Sequence, residues 1–416
     1  MIADGLSLLD LSSLAVDGAA RPATFGVILH FETEQNGEVL RAGARRAMQR
    51  YPRSSSHVQG LKWIHNPAEP SLDETEVESL EDLEHQAALF LSQPIDPSVF
   101  PLLRQRLIHY REGSSGLKKS ALVTHAHHVL GDGIALLLWL SAQLRADEAP
   151  ALSSSGELRA RKATQKIKAP WPKTEPSPVG SGRSPQKRYR TLWLDETFWR
   201  ERLKELKLGV TLHDLLAAWI LKALQQVMPQ HAASRDLSLW VPLSVRRDPF
   251  SFFGNASSRV RLRWDRKETE IAPLARSLHV QMEEALAQGA WDFGRAAEPL
   301  RLKLSQKVLT WSLRAFFSRP GMDPCTTAFS FASRVSRLED SDAFPGVDRM
   351  ETVGHLYQAH GFAFSGSCLA GKLGLTLFWD PAALENHQAQ ELFLALQEMV
   401  LRDQGDPGEQ GDQGVL

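Results

Sequence analysis

Cysteine is nearly absent from this chain: Cys325 and Cys368 are the two that 416 residues contain. That excludes a disulfide framework and fits a reducing compartment, so a cytoplasmic location is expected. Charge of one sign is missing too. A formal net charge of −1 leaves no global field to draw the chain to nucleic acid or to an anionic membrane. Long apolar runs are lacking, since the stretch Ile134 to Leu140 falls far short of the roughly 20 residues a membrane helix needs. The first residues show no basic segment leading into an apolar run, so no signal peptide is expected. Short-period repeats, zinc-type cysteine spacing and a glycine-rich phosphate loop are also absent. What is present, 43% hydrophobic and 23% charged residues, is the composition of a soluble globular protein. The length predicts two domains.

Strand and helix signals alternate along the chain, which predicts an α/β protein. Thr24 to Phe31 reads as a strand, and Glu38 to Tyr51 as an amphipathic helix stopped by Pro52. Residues 69–86 are strongly acidic and are expected to form a solvated loop and helix face. Ile134 to Leu144 is apolar almost all round and predicts a buried helix. Residues 151–190 are rich in Pro and Ser and carry a basic run that includes Lys187 and Arg188. This segment is expected to be a crossover linker between an N-terminal unit, 1–150, and a C-terminal unit, 191–402. Its charge reads either as a grip on a phosphate-bearing donor or an acidic carrier protein or, preferably, as ordinary solubilising surface. In the second unit Thr211 is a candidate cap for a helix to Met228, and Ile271 to Ala287 is a further amphipathic helix. Leu239 to Leu243 and Ser258 to Trp264 alternate like half-buried strands. A tail, 403–416, is expected to fray.

One stretch carries chemistry. The strand-like run Ser120 to Ala126 ends in His127-His128-Val129-Leu130-Gly131-Asp132-Gly133. A neutral imidazole is the side chain best suited to accept a proton near pH 7, and here it stands at a strand-to-turn junction. Asp132 can brace the turn, and Gly133 can supply the backbone freedom of a sharp bend. Metal binding by His125, His127 and His128 is one alternative. Strand alternation puts His125 and His127 on one side and His128 on the other, so further ligands would be needed from elsewhere. Packed core histidines are the other alternative, and for His125 that is the preferred reading. No metal is expected.

Read with its surroundings, the motif resembles the HHxxxDG acyltransferases, the chloramphenicol acetyltransferase-like superfamily of BAHD enzymes, wax ester synthases and condensation domains. The likeness extends to Leu8-Leu9-Asp10, Arg50-Tyr51-Pro52, Pro101 to Arg104, Val210 to Ala218, Val241 to Arg247, Phe253-Gly254-Asn255, Phe364 to Ser367 and Gly371 to Leu377. It departs at His213, where Asn is usual, and in the strand Thr327 to Arg334, which lacks the usual Asn and Gly. Asp292-Phe293-Gly294 is read as a coincidental match to the DFGWG block of the plant enzymes.

The resemblance implies two chloramphenicol acetyltransferase-like α/β domains meeting in a V, with a tunnel along their interface. It implies an acyltransferase in which His128 is the general base, a role that contributes about 10²–10⁴-fold. The donor is expected to be a phosphopantetheine thioester, acyl-CoA or on an acyl carrier protein, with no permanently bound cofactor. The acceptor is expected to be a small-molecule alcohol, giving an ester, with an amine as the alternative. A catalytically silent carrier-binding relative is the third reading. Asp132 is expected to pair with Arg246, or with the adjacent Arg247, while His127 and Gly133 shape the site. Asn255, Ser330 and His213 are candidates for lining the tunnel. The two cysteines are expected to be small buried apolar residues, not nucleophiles. A monomer is expected.

Overall fold

Thr24–Phe31 forms strand β1, buried along its whole length, as an apolar run flanked by turn residues predicts. It comes from a computed structural model that describes residues 5–66, 69–112, 116–145, 182–206, 209–228, 236–244, 246, 253–264, 267–287, 305–317, 325–331, 343–356 and 360–403. Ahead of β1 lies helix α1 (Leu8–Val16), closed by a reciprocal Ser7–Asp10 capping box. After it come α2 (Gly37–Arg50), the hairpin β2 (Ser56–Gln59) and β3 (Lys62–His65), β4 (Ser71–Glu76), α3 (Leu80–Leu91), β5 (Leu103–Glu112), β6 (Leu117–His127) and α4 (Gly133–Leu144). The second half supplies β7 (Arg188–Asp195), α5 (Glu196–Leu206), α6 (Leu212–Val227), β8 (Leu237–Ser244), β9 (Ser257–Trp264) and α7 (Ile271–Ala287). The remaining elements are α8 (Gln306–Phe317), β10 (Thr327–Phe331), β11 (Val347–Val353), β12 (Phe362–Leu369), β13 (Lys372–Trp379) and α9 (Asn386–Asp403).

The strands form two main sheets, in the orders β11-β1-β6-β5-β4 and β7-β13-β12-β10-β8-β9. In the second, the alternate residues Leu239, Leu262, Phe364 and Leu375 pack with α6, α7 and α9 into one apolar core. In the first, α1, α2 and α4 cover one face, and α3 covers the other.

The first sheet is not built from the first half alone. β11, more than 300 residues after β1 in sequence, pairs with it antiparallel from Gly26↔Val353 to Phe31↔Val347. The same strand meets the second sheet, where the Ser365 and Ser367 hydroxyls donate to the Thr352 and Met350 carbonyls. His30 Nε2 lies 2.6 Å from Glu351 Oε1. The other Glu351 oxygen accepts from the Thr191 hydroxyl of β7 at 2.8 Å. β11 is therefore the seam between the sheets.

Two expectations need correction. Part of the acidic stretch 69–86 is strand, because β4 pairs in parallel with β5 at the edge of the first sheet. Pairing with cations of β5 and α2 offsets its poor strand propensity: Asp73 faces Arg106 of β5 at 3.7 Å, and Glu74 takes a 2.7 Å contact from Arg41 of α2. Lys187, counted in the basic crossover, is buried. Its ammonium donates to the Thr24 carbonyl at 2.6 Å and the Thr24 hydroxyl at 3.2 Å. Enclosure lowers its pKa to about 7. The rest of the crossover up to residue 181 and the tail beyond Asp403 lie outside the described residues, as do Arg247, Asp292-Phe293-Gly294 and residues 332–334. Cys325 is buried, while Cys368 is half-buried against the second core. Among the described residues no helix is long and apolar enough to cross a membrane.

Candidate active site

β6 delivers the motif. His127 is its last residue, opposite Thr24 of β1, and is fully buried. Its Nδ1 accepts from the Val129 N–H at 3.0 Å, which fixes the neutral tautomer with the proton on Nε2. That Nε2 lies 3.5 Å from Asp17 Oδ2. His127 thus shapes the turn from inside. The next residue turns outward: His128 is half-buried, its N–H tied to the Ala23 carbonyl at 2.7 Å. Phe25 lies beside its ring at 4.5 Å between centroids, and His355 meets it edge-on at 6.1 Å.

Asp132 caps α4, accepting from the Ala135 N–H at 3.1 Å. The same carboxylate takes a two-pronged contact from Arg246, Nη1 to Oδ2 at 2.7 Å and Nη2 to Oδ1 at 2.8 Å. The Ala256 N–H adds a fourth donor at 2.9 Å, and Arg246 Nη2 also reaches the Gly254 carbonyl at 2.6 Å. Burial alone would raise the Asp132 pKa; Arg246 and the two backbone N–H groups outweigh it and hold the carboxyl below its usual value. A buried ion pair therefore joins the motif of the first half to two segments of the second.

A second buried carboxylate grips the backbone of the turn. Asp10 of α1 accepts from Arg53 Nη2 at 2.5 Å and from Asn255 Nδ2 at 2.9 Å. Both donors continue to the motif: Arg53 Nη2 to the Val129 carbonyl at 2.7 Å, Asn255 Nδ2 to the His128 carbonyl at 2.8 Å. Four separate segments meet here to hold two peptide units. Asn255→Ala strips a buried carbonyl and a carboxylate of a donor, and is expected to cost about 1–3 kcal/mol in urea unfolding. A loss below about 0.5 kcal/mol would show that the clamp carries no stability.

Electrostatics keep His128 unprotonated. Burial is the main influence, His127 and Arg259 act with it, and Asp132 and Asn255 act against it; together they bring the pKa down to about 4. Between about pH 6.5 and 4 the unfolded chain binds a proton that the folded one refuses. Stability from this group is complete above about pH 6.5 and falls as pH drops toward 4. Any rate that requires the neutral ring should keep its acid limb near pH 4. A limb near 6.5 in kcat/KM would contradict this environment.

Of the other residues picked from sequence, Gly133 is exposed, and a Cβ built on it meets no atom within 4 Å. The expectation that it supplies the bend is thus corrected: the close approach is at Gly131, whose Cβ would sit 2.7 Å from Ala135 Cβ. Ser330 is exposed, beside Ser365 on the face of the second sheet opposite its helices. His213 stands apart, at the start of α6, stacked on Phe329 at 5.1 Å within the helix-covered core. His125 is sealed in the core against Phe90, and burial pushes its pKa well down. Sequence reasoning missed Arg53, Phe25 and His355 at the site. Arg53 alone left a signal, directly after the helix-stopping Tyr51-Pro52.

No protein-family model matches the chain, and no curated protein does. Solved structures do. The first condensation domain of the calcium-dependent antibiotic synthetase, in complex with a substrate analogue, superposes with a TM-score of 0.72 at 16% identity, over 98% of this chain and 97% of that one. This chain has the condensation-domain fold. The EpoB cyclization-docking bidomain from Sorangium cellulosum matches at TM-score 0.65 and 14% identity, covering 98% of this chain and 86% of that one. The condensation domain of the monacolin K polyketide synthase MokA matches at 0.64 and 12%, covering 98% of each chain. Identities this low establish the fold, the two chloramphenicol acetyltransferase-like lobes, and leave the activity to be argued from the site.

Proposed function

We propose that this protein is an acyltransferase that moves an acyl group from a phosphopantetheine thioester to an acceptor hydroxyl, with His128 as general base. The observation that carries this reading is the half-buried, unprotonated His128 held at the end of β6 by two buried carboxylate networks drawn from both halves. Rigid placement of a neutral imidazole is what proton abstraction needs.

In the step itself the acceptor O–H gives its proton to the His128 ring as its oxygen attacks the thioester carbonyl. The tetrahedral adduct then collapses, the C–S bond breaks, and the leaving thiolate takes the proton back from the imidazolium. Nothing is oxidised, and no acyl-enzyme forms. His127 and Asp132 act by positioning, with Arg246 as the partner of Asp132. Asn255 holds the His128 carbonyl, and Ser330 lies exposed on the sheet face opposite the helices.

An amine acceptor, giving an amide, is the second reading. It is kept because two of the fold neighbours are named as condensation domains, a likeness that does not separate the two acceptors. Incubation with acyl-CoA or a loaded carrier protein and pooled alcohols and amines, followed by mass spectrometry of the acceptors, separates the readings. An acylated alcohol supports the first and an acylated amine the second. Unmodified acceptors with every donor would overturn both and leave a carrier-binding role.

A further inference from the structure

Lys187 reaches from one sheet to the other. Its backbone stands at the entry to β7, where the next residue, Arg188, pairs with Trp379 of β13 in the second sheet. Its side chain ends on β1 of the first sheet, with the ammonium on the carbonyl and the hydroxyl of Thr24. The main chain is tied down at this crossing. The Lys187 N–H donates at 2.8 Å to the hydroxyl of Ser92, the residue that closes α3. Just upstream, the Ser184 N–H and hydroxyl both donate to the Asp380 carboxylate at 2.8 Å.

Thr24 stands between the two residues that touch the base. Ala23, before it, gives its carbonyl to the His128 N–H at 2.7 Å. Phe25, after it, lies beside the His128 ring. Thr24 itself is opposite His127 in the sheet register. Lys187 thus grips the Thr24–Phe25 peptide unit, one residue from each contact.

A side chain needed only for packing would not be charged here. Burying an ammonium carries a cost that an apolar chain of similar length avoids. No carboxylate pairs with it among the described residues, and enclosure alone brings its pKa to about 7. The groups around it do not change charge with it. Burial first, and Lys187 and Arg104 after it, keep His125 of β6 well below its ordinary pKa. His355, just beyond β11, is held down by burial, then by His128 and Lys187. Asp17, at the end of α1, accepts from the Ala23 N–H at 2.8 Å. Burial raises its pKa, but His127 and that N–H more than offset this, so it stays ionised. On the side of the second sheet, Asp380 faces Arg21 at 3.7 Å.

We infer that Lys187 is a positioning residue for His128, a strut from the second sheet whose grip on Thr24 fixes the strand end that holds the base. Its effect on rate rests on the acyl-transfer reading above. Charged, the ammonium gives the Thr24 carbonyl a charge-assisted hydrogen bond; discharged, the amine gives a weaker one. The grip therefore slackens as pH rises through about 7.

Hydrogen exchange of the full chain, read by mass spectrometry, tests the strut without a substrate. Raising the pH from about 6 to about 9, with the intrinsic pH dependence of exchange removed, should cut protection of residues 127–129 about tenfold in wild type and leave α6 unchanged. Lys187→Met should show the lower protection at both pH values, and Lys187→Arg, which keeps the charge, the higher. In turnover, Lys187→Met is expected to lower kcat about 10–100-fold with KM unchanged. Wild type should lose part of its kcat above about pH 7, a loss that Lys187→Arg abolishes. Protection of 127–129 that ignores pH in wild type, exchange that rises throughout the chain in Lys187→Met, or an undiminished kcat in that variant would overturn the strut. If Lys187→Met does not fold, the wild-type pH comparison and Lys187→Arg decide. No turnover by wild type with any donor would sink the acyl-transfer reading, while the exchange result still decides the strut.

Discussion

Arg246→Ala is expected to destabilise the fold by about 3–5 kcal/mol, because it leaves the Asp132 carboxylate buried with its guanidinium removed. The Gly254 carbonyl loses its 2.6 Å donor in the same change. Asp132→Asn should lose less, since an amide oxygen still accepts from Ala135 while its NH2 group now faces Arg246. Because Arg246 and the backbone donors lower the Asp132 pKa, the stability it supplies is present above about pH 4. It is lost as pH falls through the folded pKa. Urea unfolding of wild type, both single variants and the double variant would give the coupling between the two sites, and additive losses would contradict a direct pair. Turnover should fall in parallel, since this pair fixes the turn that carries His128.

His128→Ala is expected to lower kcat by about 10²–10⁴-fold, the usual worth of a placed general base. Folding should survive the change. The ring is half-buried, and the contacts that hold this residue are made by its backbone N–H and carbonyl, which alanine keeps. Removing a group whose burial disfavours protonation should also weaken the acid sensitivity of stability between about pH 6.5 and 4. A variant with wild-type kcat would remove His128 from the mechanism.

Local patterning made several elements legible. The apolar run of β1 and the 3.6-residue period of α7 carry their own boundaries. The all-round apolarity of α4 marked it as buried, as it is. The contact between Asp132 and Arg246 was reachable through the family resemblance, whose arginine segment falls at Val241 to Arg247. What escaped depends on distance along the chain. β4 is a strand because charges on α2 and β5 meet it, and nothing in Ser71–Glu76 by itself says so. β11 belongs to a sheet whose other strands lie more than 200 residues earlier. The Asp10 clamp joins residues 43 and 245 positions apart, beyond any local pattern. Gly133 was misread because a glycine beside a turn suggests strain, whereas the backbone there is ordinary and the tight contact falls two residues earlier.

The central claim is that His128 accepts the proton of an acceptor that attacks a pantetheine thioester directly. Free-thiol release from acyl-CoA donors of rising chain length tests it most directly, run with and without pooled acceptors, for wild type beside His128→Ala. The account predicts release that requires an acceptor and falls by at least about a hundredfold in the variant. Release of equal rate in the two proteins, or release that needs no acceptor, would contradict it.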